Sequence, residues 1–297
     1  MRPILAILSV ITTSILITAA QARDYAIPPM PDLPTASWDV GSSVTHSVRI
    51  TQGEEDSQCN LRMAVLGTEH EAATDTSLYW VEFDITAISG LDEELETFFI
   101  EQYGETPDAI RMNMLIPQYD LTRFFLDPSG VYRDFSEFGF VRKLYFQYNR
   151  LTPFDVEPSL IGGFFLPLAA GMLLESDLPE NFRTERNLGI TLVKSPEAFV
   201  CETSHSEMAT PAGVIEGTMF SFTSTDASGA SGLLFFSDDI PILPCVSYTS
   251  DWTGSSRPGH IEAELIEFQN ENAKTDIVGR PERFDLTTLM YGTQGSS

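Results

Sequence analysis

The stretch Thr210–Trp252 reads TPAGVIEGTMFSFTSTDASGASGLLFFSDDIPILPCVSYTSDW. Three extended segments stand in it: Val214–Ser224, Leu233–Ser237 and Leu243–Trp252. The Gly/Ser/Asp-rich turn Asp226–Gly232 joins the first two, and Asp238-Asp-Ile-Pro241 separates the second from the third. Two strands joined by a short glycine-rich loop form a hairpin, and a third in register extends it to a meander. Pro241 and Pro244 have no N–H to give to a ladder, so they belong at an edge or a bulge. The fold class that follows is mainly β: a curved antiparallel sheet with a few helical inserts as cover.

Working outward, the upstream chain repeats the pattern. Trp38–Thr51 alternates, with Val44, His46, Val48 and Ile50 on one side and Thr45, Ser47 and Arg49 on the other. A period of two over that length is a half-buried strand. After an acidic turn, Cys59–Gly67 returns with Leu61, Met63 and Val65 on one face. Leu78–Thr86 sets Tyr79, Val81, Phe83 and Ile85 against Trp80, Glu82 and Asp84. The period then changes. Leu91, Leu95, Phe98, Phe99 and Tyr103 fall at helical spacing, Ser89 with Asp92 resembles a capping box, and acidic residues crowd the first turns. Ala109–Pro117 and Val141–Leu151 read as further strands, and the aromatic-rich 119–140 between them reads as an irregular covering loop. Ile161–Leu174 is apolar but interrupted by Gly162, Gly163, Pro167 and Gly171, which fits a buried helical insert. Phe199–Glu207 is expected to pair with the first strand of the opening meander, and His260–Phe268 is expected to close the sheet. From Asn270 onward the chain is polar and expected to be loosely held.

The resulting division is a signal peptide at 1–22, a Pro-rich leader at 23–36, and one β-rich domain at 37–270. Its helical inserts fall near 90–103 and 160–175, and a polar tail covers 271–297. In the signal segment Arg2 precedes an apolar run from Ile4 to Ala19, and Ala20-Gln21-Ala22 is a small-x-small cleavage site. The run is short for a span of ~20 residues and is diluted by Thr12, Thr13 and Ser14, so no transmembrane anchor is expected. No cysteine stands at the cleavage point, which argues against a bacterial lipoprotein signal. The expected location is the periplasm or the medium, as a soluble chain. Removing residues 1–22 from the 297 leaves 275, and loss of Arg2 takes the formal charge from −26 to −27. Such a chain repels nucleic acid and anionic membrane surfaces at long range, which excludes nucleic-acid partners. The oligomeric state is open. Cys59, Cys201 and Cys245 are three, so at most one bridge forms within the chain. Cys201–Cys245 is the expected pair because both sit in the strand-rich C-terminal half, with the other pairings still open.

Catalytic motifs are missing from the sequence. There is no Gly-x-Ser-x-Gly, no phosphate-cradling Gly-x-x-x-x-Gly-Lys and no Gly-x-Gly-x-x-Gly, and His70-Glu71 lacks the second histidine of a zinc protease. No cofactor is expected. Two groupings have the right chemistry in principle. His260, Glu262 and Glu264 share a strand face and could ligate a cation, and Asp238-Asp239 is a carboxylate pair at a strand end. A solvated outer face explains the first more simply, and a polar turn explains the second. No metal site is expected.

Several short motifs carry a resemblance. Thr210-Pro-Ala-Gly213 with its following strand, Phe235-Phe-Ser-Asp-Asp-Ile-Pro-Ile242 and Val246 look like the end of the periplasmic lipoprotein-carrier (LolA/LolB-like) superfamily. Val65-Leu-Gly-Thr-Glu69 and Tyr79-Trp-Val-Glu82 are similar to such proteins as well. Where members commonly carry Gly-Leu-Val-Lys after the proline, this chain has Leu243-Pro-Cys-Val246. The resemblance implies a half-barrel whose concave apolar face is closed by helices to hold acyl chains. It also implies a hydrophobic ligand or a lipidated protein as partner. On that reading the candidate ligand-binding residues are Phe98, Phe99, Phe164, Phe165, Leu168 and Met172, and no catalytic residue is assigned. The alternatives are an envelope interaction or assembly protein whose concave face is filled by its own side chains, and a hydrolase using Asp238/Asp239 or His260.

Overall fold

The structure is a computed structural model. It describes residues 25–27, 34, 36–91, 93, 96–97, 99–100, 104–121, 140–156, 192–194, 199–225, 229–253 and 258–284. Twelve strands form one sheet, and it is made of two meanders. The first runs β2 (Ser43–Gln52), β3 (Glu55–Glu71), β4 (Thr76–Ser89), β5 (Ala109–Pro117), β6 (Lys143–Tyr148) and β7 (Phe154–Val156). The second runs β9 (Phe199–Thr210), β10 (Gly213–Ser224), β11 (Ser231–Phe236), β12 (Cys245–Trp252) and β13 (Gly259–Gln269). Every step within each is antiparallel, and β13 against β2 joins the two. A three-residue strand, β14 (Glu282–Phe284), adds in parallel to β7, and β1 (Tyr25–Ile27) pairs with β8 (Leu192–Lys194) in a separate parallel pair.

The pairing of the second meander corrects one expectation. The segment beginning at Phe199 does not pair with the opening strand. It is β9, an edge strand held along its full length by β10. Short turns keep sequence neighbours side by side from β9 to β13, so the last strand, not the first, meets β2. Pro241 and Pro244 lie in the connection between β11 and β12, beside a register shift at Phe235/Phe236, where no ladder N–H is needed.

Cross-strand register explains the core. Val44, Met63, Phe83, Met112 and Phe146 are successive partners from β2 to β6, and all are buried. A second row runs Phe220, Leu234, Tyr248, Ala263, Val48 and Cys59 from β10 to β3. Directly opposed residues put their side chains on one face, so both rows pack into a single apolar layer. Each large side chain fully buried there contributes about 1.5–3 kcal/mol. The β9 end of the sheet curls, since β9 comes within 8 Å of β13, four strands away. A flat sheet would hold them ~19 Å apart.

The described part of the polar C-terminal segment, 270–284, is anchored to the sheet through 274–278, where loose holding was expected. It crosses the opposite face of β3, β4 and β6. Asp276 N–H donates to Glu82 Oε1 at 2.9 Å, and Thr275 Oγ1 donates to Glu82 Oε2 at 2.5 Å. The Gln147 amide bonds both backbone groups of Val278, donating to its carbonyl at 2.7 Å and accepting from its N–H at 3.0 Å. Glu82 and Gln147 are fully buried as a result.

Of the expected helical cover, only part of the first insert is described. Residues 93, 96, 97, 99 and 100 are helical, and Gly104 N–H bonds Ile100 O at 2.9 Å to end the turn. The insert at 160–175, residues 122–139 of the expected covering loop and residues 285–297 of the tail lie outside the described residues.

Candidate functional site: an apolar groove on the inner face

An open groove lies where the inner face of β2–β4 meets the chain leaving β4. Val48 and Ile50 come from β2, Ser57, Gln58 and Cys59 from β3, and Ile85, Ile88 and Ser89 from β4; Leu91 and Pro107 complete it. The 420 Å³ of space along it is mostly open to solvent, and its enclosed volume is about 20 Å³, so it is a shallow surface groove. The register builds it: Val48 opposes Cys59, and Ile50 opposes Ser57. Between the pairs Asn60/Thr86 and Gln58/Ser89, β4 carries two residues, Ala87 and Ile88, where β3 carries one. This bulge brings Ile88 to the groove. Gly90 then turns the chain at φ +71°, tight against β3, where a Cβ would overlap the Asp56 carbonyl. Ser57 Oγ donates to Gly90 O at 2.7 Å and pins the corner.

The chemistry of the groove is almost wholly apolar. Burial pushes the Cys59 thiol up to about 11, so it stays protonated at neutral pH and behaves as a small hydrophobe. Hydroxyl and amide groups of Ser57, Gln58 and Ser89 are the polar elements among the lining residues. The arrangement suits van der Waals contact with a chain or ring and offers no nucleophile beside a base.

Of the six expected ligand residues, Phe99 alone is described; Phe98, Phe164, Phe165, Leu168 and Met172 lie outside the described residues. Phe99 is completely buried and stacks on Tyr148, ring centroids 5.6 Å apart. Tyr148 in turn donates its hydroxyl to Glu105 O at 2.9 Å. Phe99 therefore fixes the helical segment to β6 and is not one of the groove-lining side chains. The inward positions of Val48, Ile50 and Ile85 were legible from alternation. Cys59 follows the alternation of Leu61 and Met63, whereas Ile88 enters through the bulge, which leaves no signal in the sequence.

The remaining candidates are dispersed. Cys59, Cys201 and Cys245 are free thiols. The expected Cys201–Cys245 bridge is not made, because Cys201 stands on edge strand β9 and Cys245 begins β12, with β10 and β11 between them. Asp238 and Asp239 are exposed in the turn after β11, where the Asp239 amide bonds Ser237 Oγ. His260 bonds Asp251 on the neighbouring strand, Nδ1 to Oδ1 at 2.8 Å, and Glu262 beside it is exposed. Among the described residues no group of three His, Cys, Asp or Glu side chains is placed to hold a metal ion. No helix among them is long and apolar enough to cross a membrane.

No protein-family model matches the chain, and no curated protein matches it. Among solved structures it is similar to a proposed exported protein with a YmcC-like fold from Bacteroides fragilis. That match has a TM-score of 0.26 at 10% identity and covers 82% of this chain and 99% of the other. It is also similar to a proposed lipoprotein from Parabacteroides distasonis, with a TM-score of 0.27 at 8% identity, covering 81% of this chain and 100% of that one. Likeness at scores this low transfers neither a fold nor a function.

Proposed function

We propose that this chain is an exported, non-enzymatic protein that binds an acyl chain, lipid or lipidated protein against the inner face of its sheet. The observation that carries the reading is the apolar groove of Val48, Ile50, Cys59, Ile85, Ile88 and Leu91. The segment at 1–22 supports export, and the short motifs similar to lipoprotein carriers support a lipid as ligand. Each methylene taken from water contributes ~0.8 kcal/mol, so ten would give about 8 kcal/mol before ordering costs. After an association cost of at least ~4 kcal/mol, about 4 kcal/mol would remain, which corresponds to millimolar binding unless further contacts add to it.

A second reading, an envelope interaction protein with a filled core, has its own support. The C-terminal part of the inner layer is occupied by Phe220, Leu234, Tyr248 and Leu265, all buried. One experiment separates the two. Native mass spectrometry of the mature protein from a periplasmic extract, with organic extraction, should show a near-stoichiometric lipid. A clean apo mass, together with no uptake of a fluorescent fatty acid, would leave the interaction protein standing.

A further inference from the structure

The sheet ends differently on its two sides. One edge is β14, three residues long, which adds in parallel to β7. The other is β9, FVCETSHSEMAT, whose twelve residues pair with β10 without a register shift. Natural edges are blunted by proline, lysine, bulges or shortness, because a row of unpaired backbone groups takes up another strand. β9 has none of these four devices. Among the described residues no strand lies beyond it and no hydrogen bond leaves its outer side. β13 approaches within 8 Å, but both of its own edges are taken by β12 and β2, so it cannot serve as a ladder partner.

The turn decides which backbone groups point outward. Thr210 and Gly213 oppose each other across the two-residue loop Pro211-Ala212 and so form a hydrogen-bonded pair. Bonded pairs recur at every second residue, so Met208, Ser206, Ser204 and Glu202 turn their N–H and C=O groups to β10. Cys201, Thr203, His205 and Glu207 turn theirs to the free edge. Side chains do not cover it: Glu202, Thr203, Ser204 and His205 are all exposed, and Val200 beside them is 60% exposed.

Charge selects what docks there. β9 carries Glu202 and Glu207 with no lysine or arginine, and Glu216 on β10 stands directly opposite Glu207. His205 is the one residue of the strand that can become positive, and its Nε2 already lies 3.1 Å from Glu216 Oε1. A second copy of the chain would bring the same glutamates and another formal charge of −26, which opposes association. We infer that β9 takes up an extended, Lys- or Arg-bearing segment of a partner protein as an added strand, paired along Cys201–Glu207 with its basic side chains beside Glu202 and Glu207. Main-chain hydrogen bonds supply the affinity, and the glutamates supply the choice of partner. The edge is separate from the groove, since four strands stand between β9 and β2.

The test is a titration of the full mature chain with a fluorescent, end-capped peptide of alternating Lys and Thr, read by anisotropy. Thr203→Pro deletes an N–H that points to the free edge and leaves the ladder to β10 whole. It should bind the peptide at least about tenfold more weakly while unfolding at the wild-type temperature. The same peptide N-methylated at every residue keeps its charge but cannot pair, and should show an equal loss on the wild-type chain. Glu202→Gln with Glu207→Gln should weaken binding at least about twofold. No saturable binding of the Lys–Thr peptide would overturn the proposal, as would binding indifferent to Thr203→Pro and to backbone methylation. So would a Glu–Thr peptide that binds equally well, or a dimer in sedimentation equilibrium that Thr203→Pro dissociates, which would make a second copy the occupant.

Discussion

Acid should attack this fold at His46, and by an amount that follows from its burial. His46 lies on the inner face of β2, 1% exposed, opposite Leu61 on β3 and Leu265 on β13. Its Nε2 sits 2.8 Å from the Cys245 carbonyl, so Nε2 carries the proton of the neutral ring, and Nδ1 is left buried without a partner. Charging that ring inside the core is unfavourable. Burial pulls its pKa from 6.5 down to about 4, only partly opposed by the bond to Cys245. The unfolded chain therefore binds this proton more readily, and stability falls as pH drops from 6.5 towards 4. At 1.36 kcal/mol per unit the full loss is about 3 kcal/mol, a large part of the 5–15 kcal/mol typical of a domain. Asp84, whose carboxyl is lifted to about 6 by burial, acts with opposite sign in part of the same window, so the wild-type curve alone does not isolate the histidine. The assay is urea unfolding of wild type and His46→Gln at pH 7.0, 6.0, 5.0 and 4.5. Glutamine keeps an amide donor for the Cys245 carbonyl and cannot titrate there. The stability difference between the two proteins should shift by about 2.5 kcal/mol in favour of the variant between pH 7.0 and 4.5. A difference that stays constant with pH would refute the assignment.

Two further substitutions test the walls around the groove. Phe99→Ala removes a completely buried ring and its stack on Tyr148; it should cost about 3–5 kcal/mol in denaturant unfolding, and a loss below about 1 kcal/mol would mean the helical segment is not packed there. Gly90→Ala combines a positive φ with overlap on the Asp56 carbonyl, whereas Gly53→Ala meets a positive φ with open space around it. The first should lower the unfolding temperature clearly more than the second, whose cost is only the ~1–2 kcal/mol of a left-handed conformation.

How much of this could be read from the chain depended on whether the information was local. Alternation placed Val44, His46, Val48 and Ile50 on one face of β2, and Leu144, Phe146 and Tyr148 on one face of β6, because strand periodicity is written into consecutive residues. The hairpins from Val214 to Trp252 were legible for the same reason. Which strand closes against β2 was not, since β9 and β13 are both amphipathic and only chain connectivity chooses between them. The C-terminal strap was missed because Lys274–Val278 carries no strand or helix pattern and binds through side chains of Arg62, Glu82 and Gln147, up to 212 residues away. The groove was half visible. Its β2 wall, Cys59 on β3 and Ile85 on β4 follow from alternation, while Ile88 enters through a bulge.

The most direct test of ligand binding at the groove uses its own thiol. With Cys201 replaced by serine and Cys245 fully buried, Cys59 becomes the accessible cysteine among the described residues. Its rate of modification by a small methanethiosulfonate should fall at least about tenfold when a fatty-acid probe saturates the protein, because thiol reactivity depends on access as well as on thiolate fraction. Slower labelling that tracks probe concentration, with half-effect at the probe's own dissociation constant, is the predicted result. A probe that binds while leaving the Cys59 rate unchanged would place the ligand elsewhere and contradict the account.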